Sequence, residues 1–104
     1  RFGRSHCAYR SLWLGTYCNV QDEVSYSEYA KNAKLAIEKF GGKYCVRGGK
    51  FEVVEGKHEF SRNVIIEFES FETAKNCFNS KEYQEARSFR VGKADFNGII
   101  IEGH

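Results

Sequence analysis

The chain has 104 residues, of which 41% are hydrophobic and 15% aromatic, so it can build one folded core and is not a disordered tail. Its formal net charge is only +2, from 16 basic and 14 acidic residues spread along the chain. This balance disfavours nucleic acid and anionic membranes as partners. No apolar run approaches the roughly 20 residues of a transmembrane helix.

The four cysteines of the chain contain no C-x-x-C pair, which argues against a zinc ribbon or a thioredoxin-type redox site. Cys18, Cys45 and Cys77 have apolar neighbours in predicted strands or helices, where a free thiol behaves as a small hydrophobe. We therefore expect a reducing, cytoplasmic setting.

The first predicted elements are a strand and a helix. Residues 1–11 are interpreted as an irregular leader, and residues 12–104 as a single domain. Residues 12–20 are rich in residues that favour β-strands, and apolar side chains occupy both odd and even positions. This pattern is typical of a strand that is covered on both faces.

The spacing from Ser25 to Glu28 matches a capping box, so a helix is predicted to begin there and to end at Gly41 and Gly42. Its apolar positions recur at steps of three and four residues. They are Tyr26, Tyr29, Ala30, Ala33, Ala36, Ile37 and Phe40.

The remaining elements complete a recognisable order. A second strand is predicted over residues 43–54, interrupted by a bulge or close backbone approach at Gly48 and Gly49, and a third over residues 63–69. Ser70 is the predicted N-cap of a helix that buries Phe71, Ala74 and Phe78. Ser80 caps a further short helix that carries Tyr83, Ala86, Arg87 and Arg90, and residues 96–102 form the last strand.

The element order predicts an α+β fold of the ferredoxin-like β-α-β-β-α-β kind. Its helices can cover only one face of the sheet, yet the strands are apolar on both parities. A second copy of the chain, packed sheet to sheet, is the simplest cover for the other face. A homodimer is therefore expected.

Several fragments, in this order and spacing, resemble the family known as domain of unknown function 1330. They are Trp13-Leu14-Gly15, Tyr29, Phe40-Gly41-Gly42-Lys43, Val46-Arg47-Gly48-Gly49, Glu55-Gly56, Ile66-Glu67-Phe68, Ser80-Lys81-Glu82-Tyr83-Gln84 and Ile101-Glu102-Gly103. The resemblance implies a dimeric α+β barrel. That architecture is shared by cofactor-independent monooxygenases, small-lactone isomerases and haem-dependent dismutases, so the fold alone does not select a chemistry.

Arg47, between Val46 and a glycine pair, is the first candidate site residue, because backbone can approach a ligand closely at Gly48 and Gly49. Its guanidinium could bind a carboxylate or phosphate through two hydrogen bonds, or form a structural ion pair with Glu67 or Glu69. Glu67, flanked by Ile66 and Phe68, is the candidate general base, and the alternative is again an ion pair or a wet edge.

Tyr29, Tyr83 and Arg90 are predicted to shape the mouth of the pocket, although tyrosines at helical spacing are also common in cores. Arg87 and Arg90 could close over an anion, or lie on a solvated face. The scattered His6, His58 and His104 support no metal site, and no cofactor is predicted.

Three functional hypotheses follow for this chain. The first is binding of a small carboxylate-type anion between sheet and helices. The second is an enzyme resembling the cofactor-independent monooxygenases or isomerases. The third is a non-catalytic dimerisation or stress-response module, in which the same polar residues fix strand register and the interface.

Overall fold

The chain forms one four-stranded antiparallel sheet with three helices, seen in a computed structural model that describes residues 11–18, 22–57 and 61–103. The elements are β1 (Ser11–Cys18), α1 (Glu23–Lys39), β2 (Lys43–Arg47), β3 (Arg62–Phe68), α2 (Phe71–Asn79), α3 (Lys81–Arg87) and β4 (Asp95–Glu102). The strands lie in the order β2-β3-β1-β4. The predicted ferredoxin-like α+β fold is therefore confirmed.

The N-terminus of α1 lies before the predicted capping box. Asp22 is the N-cap, and its Oδ1 accepts hydrogen bonds from the backbone N–H groups of Val24 and Ser25, both at 3.1 Å. The Ser25 hydroxyl donates to Asp22 Oδ2 at 2.8 Å. These bonds from Ser25 hold the pKa of the Asp22 carboxyl below its ordinary value. The helix begins at Glu23 because the Asp22 side chain satisfies two of the free N–H groups of the first turn.

The second strand is shorter than predicted. It ends at Arg47, and residues 49–57 have no regular secondary structure. Gly48, with φ of +72°, makes the last bond to β3 by donating its N–H to the Asn63 carbonyl at 2.8 Å. The positive φ turns the chain away from the sheet, which ends the strand. The register irregularity lies earlier, between Tyr44 and Val46, and not at the glycine pair.

The helices pack on one face of the sheet and bury its alternate residues. The buried hydrophobic residues are Trp13, Tyr29, Ala33, Ala36, Ile37, Val64, Ile66, Phe68, Ala74, Cys77, Tyr83 and Ala86. Trp13 is at the centre, with its ring 4.9 Å from that of Tyr83 and 5.5 Å from that of Phe78, centroid to centroid. The predicted apolar face of α1 is the face that enters this core.

The helix caps at Ser70 and Ser80 are as predicted, since each side chain accepts a backbone N–H three residues along the chain. In α2, however, Cys77 is buried with Ala74, while Phe71 and Phe78 are only half-buried. Burial raises the pKa of the Cys77 thiol to about 12, so the thiol is protonated at neutral pH. Cys45, predicted among apolar neighbours, is exposed on β2.

No helix formed by the described residues covers the other face of the sheet. Leu12 is 39% exposed, and Ile99 and Ile101 on β4 are 50% and 49% exposed. The Cα register places Leu12 between Glu67 on β3 and Ile101 on β4. We call this surface, formed by Leu12, Glu67, Ile99 and Ile101, the open face. In the described part of the chain, no helix has both the length and the apolar character needed to cross a membrane.

Candidate functional site

A narrow cleft lies between α1 and the core side of strands β1, β2 and β3. Its interior volume is about 30 Å³, which leaves room for only a few atoms, and the cleft is open to solvent. We call it the α1 cleft. The residues that line it are Trp13, Gly15, Tyr26, Tyr29, Ala30, Ala33, Ile37, Tyr44, Arg47, Arg62, Val64 and Ile66.

Arg47 reaches this cleft because β2 is irregular. Tyr44 lies opposite Ile66 and Arg47 lies opposite Val64, although the two β2 residues are three positions apart. The extra residue in β2 therefore puts both side chains on the helix side of the sheet. The Arg47 guanidinium stacks on the Tyr44 ring, with Cζ 4.6 Å from the centroid. The predicted anion-binding residue thus lines the predicted kind of cleft, from an exposed position at its edge.

Arg62, which the sequence reasoning did not select, is the second cation in the cleft. It is the first residue of β3, and its guanidinium lies against the backbone of Gly48, where an added Cβ would be 2.2 Å from Nη1. Its Nε is buried and has no hydrogen-bond partner among the described residues. Because Gly48 has no side chain, the Arg62 guanidinium can occupy this space.

The close backbone approach predicted at Gly48 is therefore present, but the group that approaches is Arg62. Gly49, the other predicted ligand-binding glycine, has no atom within 4 Å of the position that a Cβ would take. The two glycines differ in role, since only Gly48 contacts a cleft-lining side chain.

Tyr29, Tyr83 and Arg90 meet, but inside the core instead of at a mouth. Tyr83 is fully buried, and its hydroxyl lies 2.9 Å from that of Tyr29. Arg90 is 5% exposed and donates from Nη2 to the Tyr83 hydroxyl at 3.4 Å. Of the three, only Tyr29 lines the α1 cleft. Arg90 lies in the turn after α3, not on the helix with Arg87 as predicted, and this turn brings it into the core.

Tyr44, which lines the cleft, and the buried Tyr83 are neutral hydrogen-bonding groups at physiological pH. Burial raises the pKa of Tyr44 to about 12, although the nearby Arg47 opposes the shift. Burial also raises the pKa of Tyr83, with the neighbouring Tyr29 adding to it and Arg90 opposing it. Phenols in this state bind ligands as donors or acceptors and are poor general bases.

Glu67 is on the opposite face of the sheet from the cleft. Val64, Ile66 and Phe68 alternate with it along β3 and point into the core, so the Glu67 side chain belongs to the open face. Arg47 is on the helix side, so these two residues do not form the predicted ion pair across the cleft. Glu67 consequently cannot act as a base on a ligand held in the α1 cleft.

The α1 cleft therefore combines two guanidinium groups with phenol hydroxyls and an aromatic and aliphatic floor. Among the described residues that line it, none is acidic and none is a histidine. Within the described ranges, no three His, Cys, Asp or Glu side chains cluster as metal ligands, and His6, His58 and His104 lie outside those ranges. The arrangement can hold an anion.

Solved structures of low sequence identity share this fold. A protein of unknown function from Rhodopseudomonas palustris superposes with a TM-score of 0.74 at 17% identity, covering 93% of this chain and 84% of that one. A candidate antibiotic biosynthesis monooxygenase from Caulobacter crescentus gives a TM-score of 0.58 at 11% identity, covering 96% and 94%. A dimeric protein of unknown function and ferredoxin-like fold from Bacteroides fragilis gives 0.50 at 11% identity, covering 89% and 93%.

At these identities the structural neighbours establish the fold and leave the chemistry open. No protein of curated function is significantly similar to the chain in sequence. The sequence model of one family, described as "Domain of unknown function (DUF1330)", matches residues 10–104. The resemblance found from the sequence fragments is thereby confirmed, and the chain belongs to this family.

Proposed function

We propose that the protein is a homodimer that binds a small carboxylate-type anion in the α1 cleft of each subunit. One observation carries the proposal: Arg47 and Arg62 both line this cleft, and neither forms an ion pair with a carboxylate among the described residues. The buried Nε of Arg62 also has no described hydrogen-bond partner. A buried donor without a partner costs about 1–3 kcal/mol, which a bound anion would recover in part.

The shape of the cleft favours a small charged group. Its interior of about 30 Å³ suits the head group of a carboxylate, and Arg47 lies exposed at the edge of the cleft. A planar guanidinium matches the two oxygens of a carboxylate through paired hydrogen bonds. The rings of Tyr26 and Tyr44 line the cleft beside the two guanidinium groups.

The open face supports the homodimer. Leu12, Ile99 and Ile101 expose apolar surface together on one side of the sheet, where water contact is unfavourable. The dimeric state of the Bacteroides fragilis neighbour, which has the same fold, is consistent with this assignment. In the proposed dimer, Glu67 lies at the interface and fixes how the two sheets pack.

We also propose a cytoplasmic location, with neither nucleic acid nor membrane as partner. Cys45 and Cys77 are both free thiols, as is usual for proteins kept in a reducing compartment. The net charge of +2 produces no strong field for a polyanion.

A non-catalytic dimerisation module is the second candidate, and the apolar open face favours it. Under that hypothesis Arg47 and Arg62 only stabilise the fold. An enzyme of the monooxygenase or isomerase kind would need a group that moves a proton, and no described residue of the α1 cleft is a carboxylate or histidine. Anion binding is therefore the function that this cleft supports best.

The test is to titrate the purified protein with acetate, lactate and acetoacetate and to measure binding by isothermal titration calorimetry. We expect Arg47→Gln to weaken binding by about tenfold or more, the usual effect of losing a charged hydrogen bond. Lys43→Gln is the matched control, because Lys43 is exposed on the same strand, opposite Glu67 in the register. If none of the three acids binds, or if both variants bind them equally well, the result favours the dimerisation module over anion binding.

A further inference from the structure

A second cleft lies on the other side of the buried Arg90, between β4 and the helices α2 and α3. Its volume is about 390 Å³, within the range of about 300–1,000 Å³ that small-molecule pockets occupy. We call it the α3–β4 cleft. Its walls include the rings of Trp13, Phe78 and Phe96 and the side chain of Ile100.

Two arginines line this cleft together with the rings. Arg87 is half-buried in the last turn of α3, and its one described polar contact is a long hydrogen bond from Nη1 to Gln84 Oε1 at 3.5 Å. Arg90 is 95% shielded from solvent, since only 5% of it is exposed. No acidic residue is among the described residues that line the cleft.

The charge of Arg90 is incompletely compensated. Its Cζ lies 3.7 Å from the Phe96 ring centroid and 5.0 Å from that of Tyr29, so two rings contact the guanidinium. Its hydrogen bonds go to phenol hydroxyls, which carry no charge, and its buried Nε has no partner among the described residues. A buried cation in an apolar site is costly unless an anion pairs with it.

The cleft thus offers what an aromatic acid requires. Flat aromatic walls bury a ring, and guanidinium groups bind its carboxylate. An aliphatic acid would forfeit the ring contacts, and a neutral aromatic amide would forfeit the charge. The α1 cleft differs, because its interior of about 30 Å³ cannot admit a ring.

We infer that the α3–β4 cleft is a second ligand site, which takes a planar aromatic carboxylate. The ring packs against Trp13, Phe78 and Phe96, and the carboxylate pairs with Arg87 at the rim, close to the buried positive charge of Arg90. This inference is independent of the proposed function, since its anchoring residue Arg87 does not line the α1 cleft.

The test uses benzoate, with benzamide as the neutral isostere and acetate as the acid without a ring. We expect calorimetry to give benzoate binding that is at least about tenfold tighter than that of either comparator. Arg87→Gln should weaken benzoate by about tenfold, and Lys43→Gln, the matched loss of one positive charge at a residue that lines neither cleft, by less than about twofold. Both positions are accessible to solvent, so both variants should fold.

Each other outcome overturns the inference. The site is ruled out if benzoate does not bind, if benzamide binds equally well, or if Arg87→Gln leaves benzoate binding unchanged.

If Arg47→Gln weakens benzoate binding while Arg87→Gln does not, the ligand occupies the α1 cleft. That result excludes the second site and supports the proposed function. The indole N–H signal of Trp13, the one tryptophan of the chain, reports in NMR whether benzoate reaches the core side of the sheet.

Discussion

The guanidinium of Arg90 stacks on the ring of Phe96, with 3.7 Å between Cζ and the ring centroid. Phe96 can take this position because Gly98 follows two residues later on β4, where an added Cβ would be 2.8 Å from the ring. The centroid of the Tyr29 ring lies 5.0 Å from the same Cζ. The most buried cation among the described residues is therefore held by aromatic rings, and not by a carboxylate of that part of the chain.

Arg90→Lys tests how far the stacking stabilises the fold. Lysine retains the charge but loses the flat guanidinium, so we expect the free energy of unfolding to fall by about 2 kcal/mol. Urea denaturation measures this change. Arg87→Lys is the control, since Arg87 is half-buried and makes only a long hydrogen bond, and it should change stability by less than about 0.5 kcal/mol. Equal effects would mean that the stacking contributes nothing.

Gly48 and Gly49 form a matched pair for alanine substitution. Gly48→Ala places a Cβ at a φ of +72° and against the Arg62 guanidinium, so we expect a loss of about 1–2 kcal/mol from the backbone alone. It should also weaken anion binding in the α1 cleft, because Arg62 must move. Gly49→Ala meets no atom within 4 Å and should alter stability by less than about 0.5 kcal/mol. Thermal unfolding and calorimetry check both, and a neutral Gly48→Ala would contradict the assignment.

Tyr83→Phe tests the buried phenol pair through its pH dependence. Burial, and to a smaller extent the neighbouring Tyr29, raises the pKa of Tyr83 in the folded state. As the pH rises, the Tyr83 phenol therefore loses its proton in the unfolded chain at a lower pH than in the folded protein. The stabilisation is fully present below the unfolded pKa of about 10 and is lost progressively above it. At neutral pH we expect Tyr83→Phe to cost about 1 kcal/mol from the lost hydrogen bond.

Above pH 10 the difference between wild type and Tyr83→Phe should shrink, because the variant lacks the titrating group. Urea denaturation at pH 7, 9, 10 and 11 measures it, with Tyr26→Phe on the half-buried start of α1 as the control. Parallel pH curves for wild type and Tyr83→Phe would rule out a contribution of the buried phenol to alkaline unfolding.

The double variant Ile99→Lys and Ile101→Lys tests the proposed dimer. On dimerisation, the two lysines of each subunit would lose their hydration and approach the lysines of the other subunit. We therefore expect the dimer dissociation constant to rise by about a hundredfold or more. Sedimentation velocity at micromolar concentration measures the oligomeric state. Val54→Lys, at a position that is 88% exposed outside the sheet, is the control and should leave the dimer intact. A monomeric wild-type protein would refute the homodimer.

Local signals in the sequence were sufficient for the elements and their order. The three- and four-residue steps from Tyr26 to Phe40 identify the buried face of α1, and Ser70 and Ser80 cap the helices that follow them. Helix periodicity and capping depend on residues within one or two turns, so the sequence alone contains the required information. The start of α1 differs, because the Ser25–Glu28 spacing predicted a later start than the one that the Asp22 side chain fixes at Glu23.

Packing between distant segments decided the site. The parity of β3 separates Glu67 from Ile66 and Phe68, but only the position of the helices shows that Glu67 is on the open face. Arg62 faces Gly48 because of the register in which β2 and β3 pair, which shifts between Tyr44 and Val46. No residue pattern in the sequence predicts this shift. Arg90 was predicted to lie on the helix with Arg87 and to shape the mouth of the pocket, whereas the turn after α3 buries it beside Tyr29 and Phe96. The sequence by itself determined the fold and the kinds of side chain available, whereas tertiary contacts determined which cations face a cleft, because burial depends on neighbours far apart in the chain.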